Sequence, residues 1–507
     1  MKRRKFIYQA SMGVGGLLPV LKKVNPFVLG KGPFLATGIK TGEITQTEAI
    51  VWARLTKETK PVGKQAAIPT VLYKDESVNE WHPTAYFKEK YKQDRPNREV
   101  KVIFPEGYTV NDLEGAVPGA EGELRFLYRK QGTKKWSETA WMTVEGSTDY
   151  AAQVKLQHLQ PDTRYELSVE TRYKGSVSAG QTMSGSLKTA ATAAEPKDVH
   201  FMVTTCHEYN HQDDPDGKGF KIYQHMKSLQ PDFMVHTGDV VYYDQLGKSL
   251  PLVYWHWQRM FGLQSCVNFY KDVPTYFMKD DHDTWMNDCY PQWNNKFMGE
   301  FTFQQGVKVF GQQVPMGDTP YRTFRWGKDL QIWLVEGREY RDKNDKPDGP
   351  DKSIWGKEQM AWFKQSFEAS DATYRILISP TPIVGPDRPQ KKDNHANSGF
   401  AHEGNEIKQF LADKKNVFIV CGDRHWQYAS KDLKLGLREF ACGPASNEHA
   451  EGWKKEEVLP EHKYLNIVGG FLSVKITKEN HNASIRFTHY SVDGEKLYSE
   501  YFSNSGV

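Results

Sequence analysis

Four short segments of the chain concentrate side chains that can hold metal ions or move protons. Thr205-Cys206-His207 closes one apolar run, and Gly238-Asp239, with Tyr242 three residues on, closes a second. Lys279-Asp280-Asp281-His282-Asp283 closes a third, and Gly422-Asp423-Arg424-His425 a fourth. Asp280, Asp281 and Asp283, crowded in one run, repel one another unless they are solvated, protonated or neutralised by a cation. Singly, each segment has an ordinary explanation. A Gly-Asp pair after a strand is usually a turn, Cys206 and Cys421 fit small buried side chains, and His236 and His282 fit core or capping positions. Four such segments in order, each behind a hydrophobic strand, point instead to loops that converge on one site.

The elements that must position these loops are legible in outline. Residues 199–205, 233–237, 375–378 and 418–421 read as short core strands, with a helix-like segment at 219–229 between the first two. Strand, helix and strand with polar residues at the strand ends predict mixed sheets covered by helices, with chemistry at the carboxyl ends. The stretch 465–501 alternates and is expected to finish a sheet of the same domain. Upstream, 49–55, 154–156 and 165–169 alternate in the manner of half-buried strands. Pro161-Asp162 before Tyr165 suits a sandwich edge where the ring caps the core. The expected fold is an N-terminal all-β sandwich, similar to fibronectin-type or immunoglobulin-like domains, plus an α/β domain. Their expected bounds are 36–192 and 193–507, joined by a linker at 190–196. Of 16 His only His82 and His158, and none of the five Cys, fall in the first part, which assigns metal chemistry to the second.

The order and spelling of the four segments resemble the alkaline phosphatase D (PhoD-like) branch of the calcineurin-like metallophosphatases, over essentially the whole chain. The resemblance implies a secreted phosphomonoesterase or phosphodiesterase that uses Fe³⁺ and Ca²⁺, with Zn, Mn or Mg as alternatives for the second metal. It implies metal ligands at Cys206, Asp239, Tyr242, Asp281, Asp423 and His425. Thr205-Cys206 matches the place where this branch carries a Cys near the superfamily's D-x-H. Asp239 matches the bridging Asp, and Tyr242 a tyrosine that ligates ferric iron. Asp281-His282 stands where Asn-His is usual, and Gly422-Asp423-Arg424-His425 where Gly-His-x-His is usual. Two departures stand out: Pro380-Thr381-Pro382 replaces a further metal-binding His, and the insert 387–397 has no counterpart in the better-known members.

Such residues support a definite mechanism. Two cations about 3.5–4 Å apart bind phosphoryl oxygens and generate hydroxide near neutral pH, with a bridging carboxylate fixing their spacing. Anionic thiolate and phenolate ligands stabilise Fe³⁺ and give a charge-transfer colour, whereas carboxylates supply the oxygens calcium takes. His282 is the candidate general acid, and His425 a ligand or a substrate contact. Arg338 lies in Glu336–Arg341, similar to the family's D-x-R-x-Y-R run with Glu336 in the Asp place, and is a candidate phosphate or sulfate clamp beside Arg341. His395, with Asn394, Asn397, Lys391 and Lys392, is a second candidate over the substrate, or else part of a plain surface loop. His207, His211, Asp213 and Asp214 cluster beside Cys206, where one of them could orient a ligand. Trp255, Trp257 and Phe261 share helical spacing and are expected to pack a helix. Trp285 and Trp426 are expected to wall the site.

Composition narrows the remaining choices. The 507 residues are 38% hydrophobic with 14 Trp, 25 Tyr and 26 Phe, enough for a large core, which excludes global disorder. Basic and acidic residues number 67 and 63, a net +4, and no basic stripe marks a nucleic-acid binder. No apolar run approaches the ~20 residues that span a bilayer, so no stable membrane anchor is expected. Five scattered Cys exclude a disulfide-built scaffold. The leader, 1–35, begins Met-Lys-Arg-Arg-Lys-Phe and continues into a short apolar stretch, 12–21, and Lys22-Lys23. It resembles a twin-arginine signal, which makes the export machinery a partner and the periplasm or exterior the destination. The substrate expected is a small phosphate mono- or diester. The alternatives are a sulfate ester or phospholipid diester on the same fold, or a non-catalytic sandwich-bearing binding protein with a decayed metal site.

Overall fold

The structure is a computed structural model that describes residues 32–214, 216–479 and 482–504. The twin-arginine-like segment falls almost wholly outside these residues. Two mixed sheets form the centre of the molecule. In the first, Thr275–Phe277, Phe233–His236 and Val199–Thr204 run parallel, and Phe471–Glu479, Asn482–Tyr490 and Lys496–Ser503 continue it antiparallel. The second orders Arg322–Trp326, Leu330–Leu334, Tyr374–Ser379, Val417–Cys421, Arg438–Cys442, Gln427–Lys431 and His462–Asn466, with its second to fifth strands parallel.

Alternation along the strands decides what each face meets. Phe201 and Val203 point into the layer between the sheets, while Met202 and Met234 point to the outer helices. In the second sheet Ile332, Ile376, Ile378 and Val420 fill the inner layer, and Trp333, Leu377 and Ile419 pack outward under the helices Gly356–Glu368 and Ala401–Ala412. Both faces are therefore buried, which is why these strands read as unbroken apolar runs rather than alternating ones. The helix Leu250–Phe261 covers the first sheet and buries Trp255, Trp257 and Phe261, as their spacing predicts. Of the segment 465–501, the strands from Phe471 onward finish the first sheet, whereas Leu465 and Asn466 end the last strand of the second.

The N-terminal part is wholly antiparallel. Ile39–Gly42, Ala49–Arg54 and Ala151–Leu156 form one sheet. Thr182–Lys188, Arg164–Arg172 and Gly122–Lys130 carry the other, with Ser137–Glu138 and Met142–Val144 on its edge. Val51, Leu124, Phe126, Leu167 and Val169 fill the space between them. Tyr165 caps this core, its hydroxyl accepting the Gln160 amide at 2.8 Å, in the manner of a tyrosine corner. The sequence pattern did not separate out a third small sheet, Thr70–Asp75, Glu80–His82 and Val100–Ile103 with the helix Thr84–Tyr91. This piece leaves the sandwich and packs against the second part of the chain, where Tyr73 stacks on Phe297 at 5.3 Å. The buried Arg54–Asp149 ion pair, joined by Gln258 and Gln313, locks the sandwich to the helices beyond it.

Among the described residues no helix is long and apolar enough to cross a membrane. All five cysteines are free and buried.

Candidate metal centre

Three neighbouring parallel strands of the first sheet end side by side, and the residues after them are Cys206, Asp239 and Asp280–Asp281. Three neighbouring parallel strands of the second sheet deliver Arg338, Pro380 and Asp423 to the same end. The two sets meet where the Asp423 amide donates to Thr205 Oγ1 at 3.4 Å and Thr205 bridges to Pro444. The chain turns sharply at each delivery point: Cys206, Asp239 and Asp423 hold φ of 53°, 58° and 62°. Left-handed backbone at three non-glycine residues costs energy and clusters at functional sites. The glycines of the two Gly-Asp pairs are there for space. A Cβ on Gly238 would lie 2.6 Å from Asp280 Cβ, and one on Gly422 2.4 Å from Thr237 Oγ1.

Asp239 is the hub of the cluster. Its Oδ2 lies 3.5 Å from Cys206 Sγ and accepts the Tyr242 hydroxyl at 3.3 Å, and its Oδ1 accepts the His282 amide at 3.3 Å. Ligand atoms of Asp239, Asp281 and His282 lie within 4.8 Å of one another, as do those of Asp239, Asp280 and Asp423. The two groups share Asp239. Burial, joined by neighbouring carboxylates, holds Asp239, Asp280 and Asp423 above the usual carboxylate range and pushes the Cys206 thiol up. A buried cluster that resists its own negative charge, offering thiol, phenol and carboxylate donors, fits resident cations.

Cations of the chain itself offset part of that charge. Arg338, 1% exposed, donates through Nε to Asp280 Oδ1 at 2.6 Å and lies 3.6 Å from Asp281. It is thus a brace beneath the carboxylates rather than an open clamp, because its fork is taken by Asp280. Arg341 is likewise buried, donating to the Asp393 carbonyl at 2.8 Å. Asp283 ties the Asp239 and Asp280 loops together by accepting the Val240 and Asp280 amides.

A cavity of about 420 Å³ opens beside the cluster, lined by Tyr242, Asp244, His282, His425 and His449 among others. His282 lies against Tyr242 with ring centroids 4.3 Å apart, and its Nδ1 is 2.5 Å from Asp244 Oδ2. Burial opposes charge on His282, but Asp244, Asp281 and Asp239 outweigh it and raise its pKa well above the ordinary value. His425 faces His449 at 4.0 Å between ring centroids and lies in neither carboxylate group.

Other sequence candidates settle elsewhere. His395 is 1% exposed and committed to Glu403, 2.9 Å from its Nε2. Its loop is no plain surface loop: Asp393 and Asn394 are buried, and Asp387 and Asp393 pair with Arg424 at 3.3 and 3.2 Å. Trp285 and Trp426 are core residues and do not wall the cavity; Trp285 donates to the Phe301 carbonyl at 2.8 Å. His207 is buried behind Cys206, bonded to His236 at 2.7 Å and Tyr223 at 3.0 Å.

Asp244, Asp280, Arg424 and His449 were not singled out from sequence as site residues. Asp280 carried a signal in the crowded acidic run. His449 carried none, since it follows no strand-end motif.

Comparisons with known proteins bear on the family and the fold. The PhoD-like phosphatase family model matches residues 201–485, the span from the first sheet's central strand through its antiparallel return. Alkaline phosphatase D of Bacillus subtilis (strain 168) is 20% identical over 409 residues, 67% of each chain. A solved structure of PhoD superposes with a TM-score of 0.67 at 15% identity, covering 95% of this chain and 94% of that one. Purple acid phosphatase PPD1 from yellow lupin (Lupinus luteus) seeds follows at 0.61 and 10%, covering 92% and 74%. With more than half its length matched by the family model, the chain belongs to the PhoD-like phosphatases and is a metal-dependent phosphoesterase.

Proposed function

We propose that the protein is an exported phosphate mono- or diesterase, and that Asp239 and the residues around it would hold Fe³⁺ and Ca²⁺. The observation that carries this reading is the division of labour at Asp239: one oxygen faces Cys206 and Tyr242, and the carboxylate is shared by both groups of candidate ligands. Cys206 and Tyr242 would be the anionic donors to ferric iron, and Asp423 would offer oxygen to calcium. Asp280 joins the ligand set beside Asp281. Asp280 Oδ2 is buried without a hydrogen-bond partner, whereas Asp281 accepts amides on both oxygens, from His282 at 3.1 Å and Asp288 at 2.6 Å. The bound metals supply Lewis acidity toward a phosphoryl oxygen.

The chain's own residues do the rest. Asp244 fixes the His282 ring through Nδ1, which leaves Nε2 as the group to protonate a leaving oxygen or donate to a phosphoryl oxygen. His425, on the cavity wall, is a substrate contact rather than a ligand. Asp244→Asn keeps the shape but removes the charge that orients and supports His282. It is expected to lower kcat about 10- to 100-fold with KM little changed, read by steady-state kinetics beside a thermal melt that shifts little.

Metal analysis with an absorption spectrum tests the centre. About one iron per chain is expected, with a visible band that Tyr242→Phe abolishes and Cys206→Ser shifts or abolishes. A colourless, iron-free protein that still cleaves phosphoesters would sink the ferric assignment. Phosphate monoesters, diesters and sulfate esters assayed side by side then separate the substrate classes.

A further inference from the structure

The cavity beside the metal centre has a second pole. Arg259, from the helix Leu250–Phe261, lines it and is only 5% exposed, yet it forms no ion pair among the described residues. Its guanidinium is sandwiched between Trp255 at 4.2 Å and Tyr209 at 4.5 Å, and its Nε is buried without a partner. Its one polar side-chain contact is His256 Nδ1, 2.9 Å from Nη2. Guanidinium is an obligate donor, so His256 accepts at Nδ1 and carries its proton on Nε2, which is likewise buried and unpartnered. A buried cation with unmade hydrogen bonds is costly and calls for an explanation. Stacking on two rings offsets only part of that cost.

Arg95 lines the same cavity. It belongs to the small sheet piece that leaves the sandwich, on the segment after the helix Thr84–Tyr91. That segment is anchored by buried Pro96 and by Asn97, which accepts the Lys296 amide at 2.9 Å. Half-buried Arg95 also forms no ion pair among the described residues, although its charge reaches Asp244. The acids of the wall form no ion pair with either arginine, although the charge of Glu208 reaches Arg259. Asp244 is bonded to His282, Glu208 accepts from Asn210 at 3.1 Å, and Glu451 is exposed.

We propose that Arg95 and Arg259 form an anion subsite for a second phosphate group on the substrate, so that the preferred ester carries two phosphates. Guanidinium forks match tetrahedral oxyanions, and the cavity of about 420 Å³ spans from the metal centre to both arginines. The inference rests on the phosphoesterase reading but concerns what is held beyond the scissile bond.

The test uses the full metal-loaded protein and alkanediol bisphosphates of three to six carbons, against alkyl monophosphates of equal length. Phosphate release gives kcat/KM, and calorimetry gives Kd. At the best length the bisphosphate is expected to be favoured about 10- to 100-fold in kcat/KM and in Kd, as one to two charge-assisted contacts allow. Arg95→Gln is expected to collapse that ratio to about threefold or less. Arg259→Lys, checked for folding by its melt, is expected to collapse it in the same direction. A wild-type ratio near one at every length, or a ratio untouched by Arg95→Gln, overturns the subsite. If no compound turns over, the monoesterase half of the proposed function fails, and the calorimetric ratio alone then decides the subsite.

Discussion

Asp239→Asn is expected to lower kcat/KM for a phosphoester by about 10³-fold or more and to strip the protein of at least one metal. Several kcal/mol of transition-state stabilisation is what metal ions supply to such a reaction, and each 1.36 kcal/mol is tenfold in rate. The substitution preserves shape but turns one acceptor oxygen into an amide donor. That nitrogen would face either the His282 amide or the thiol and hydroxyl of Cys206 and Tyr242, all of which now donate to Asp239. The metal-free fold should not suffer in proportion. Burial and the charges of Asp281, Asp283 and Asp423 disfavour the ionised Asp239, while His282 alone favours it among its strongest influences. Without metal Asp239 is thus held toward its neutral form, and the melting temperature of the metal-free protein is expected to shift little, while the stabilisation that added metal confers by mass action shrinks. Metal content, kinetics and paired melts with and without chelator separate these effects. An active, fully loaded Asp239→Asn would remove the hub from the proposed centre.

Arg424→Met is expected to destabilise the protein by about 3–5 kcal/mol, the cost of leaving buried charge uncompensated. One guanidinium, 1% exposed, holds Asp423 at 2.5 Å, Asp393 at 3.2 Å and Asp387 at 3.3 Å. Asp393 in turn accepts from Asn394 and Asn397, so Arg424 anchors the 387–397 insert alongside Arg341 on the Asp393 carbonyl and Glu403 on His395. Lys391, 3.4 Å from Asp393, offsets only a share of the charge. Arg424→Lys supplies a point charge but not a fork, and is expected to recover part of the loss. Denaturant unfolding measures both. A Met variant within 1 kcal/mol of wild type would mean that the three carboxylates are neutral in the native protein. Because Asp423 is a candidate ligand, weakened metal binding is expected to accompany the loss of stability.

Much of the candidate site was legible because its chemistry is local. Cys206, Asp239, Asp281 and Asp423 each follow an apolar run by one or a few residues, and a parallel strand buried on both faces declares itself in that way. The ends of adjacent parallel strands must lie together, so strand-end motifs converge without any knowledge of distance. Tyr165 and the helix of Trp255, Trp257 and Phe261 were readable for the same reason, since turn chemistry and helical spacing act within a few residues.

What only the tertiary structure decided are partnerships between groups far apart in the chain. Arg338 reads as a phosphate clamp by its motif, but Asp280, 58 residues earlier, occupies its fork. His395 reads as a residue over the substrate, but the first turn of the helix Ala401–Ala412 brings Glu403 to its ring. Within the run 280–283 the sequence alone does not rank the acids. Backbone amides claim both oxygens of Asp281 and leave Asp280 Oδ2 unpartnered. Arg95 reaches the cavity from a loop and His449 from a single 3₁₀ turn, neither with a sequence pattern of its own. Sequence periodicity reports which face of an element is buried, whereas the partner a long polar side chain finds depends on which loops the packed sheets bring within a few ångströms.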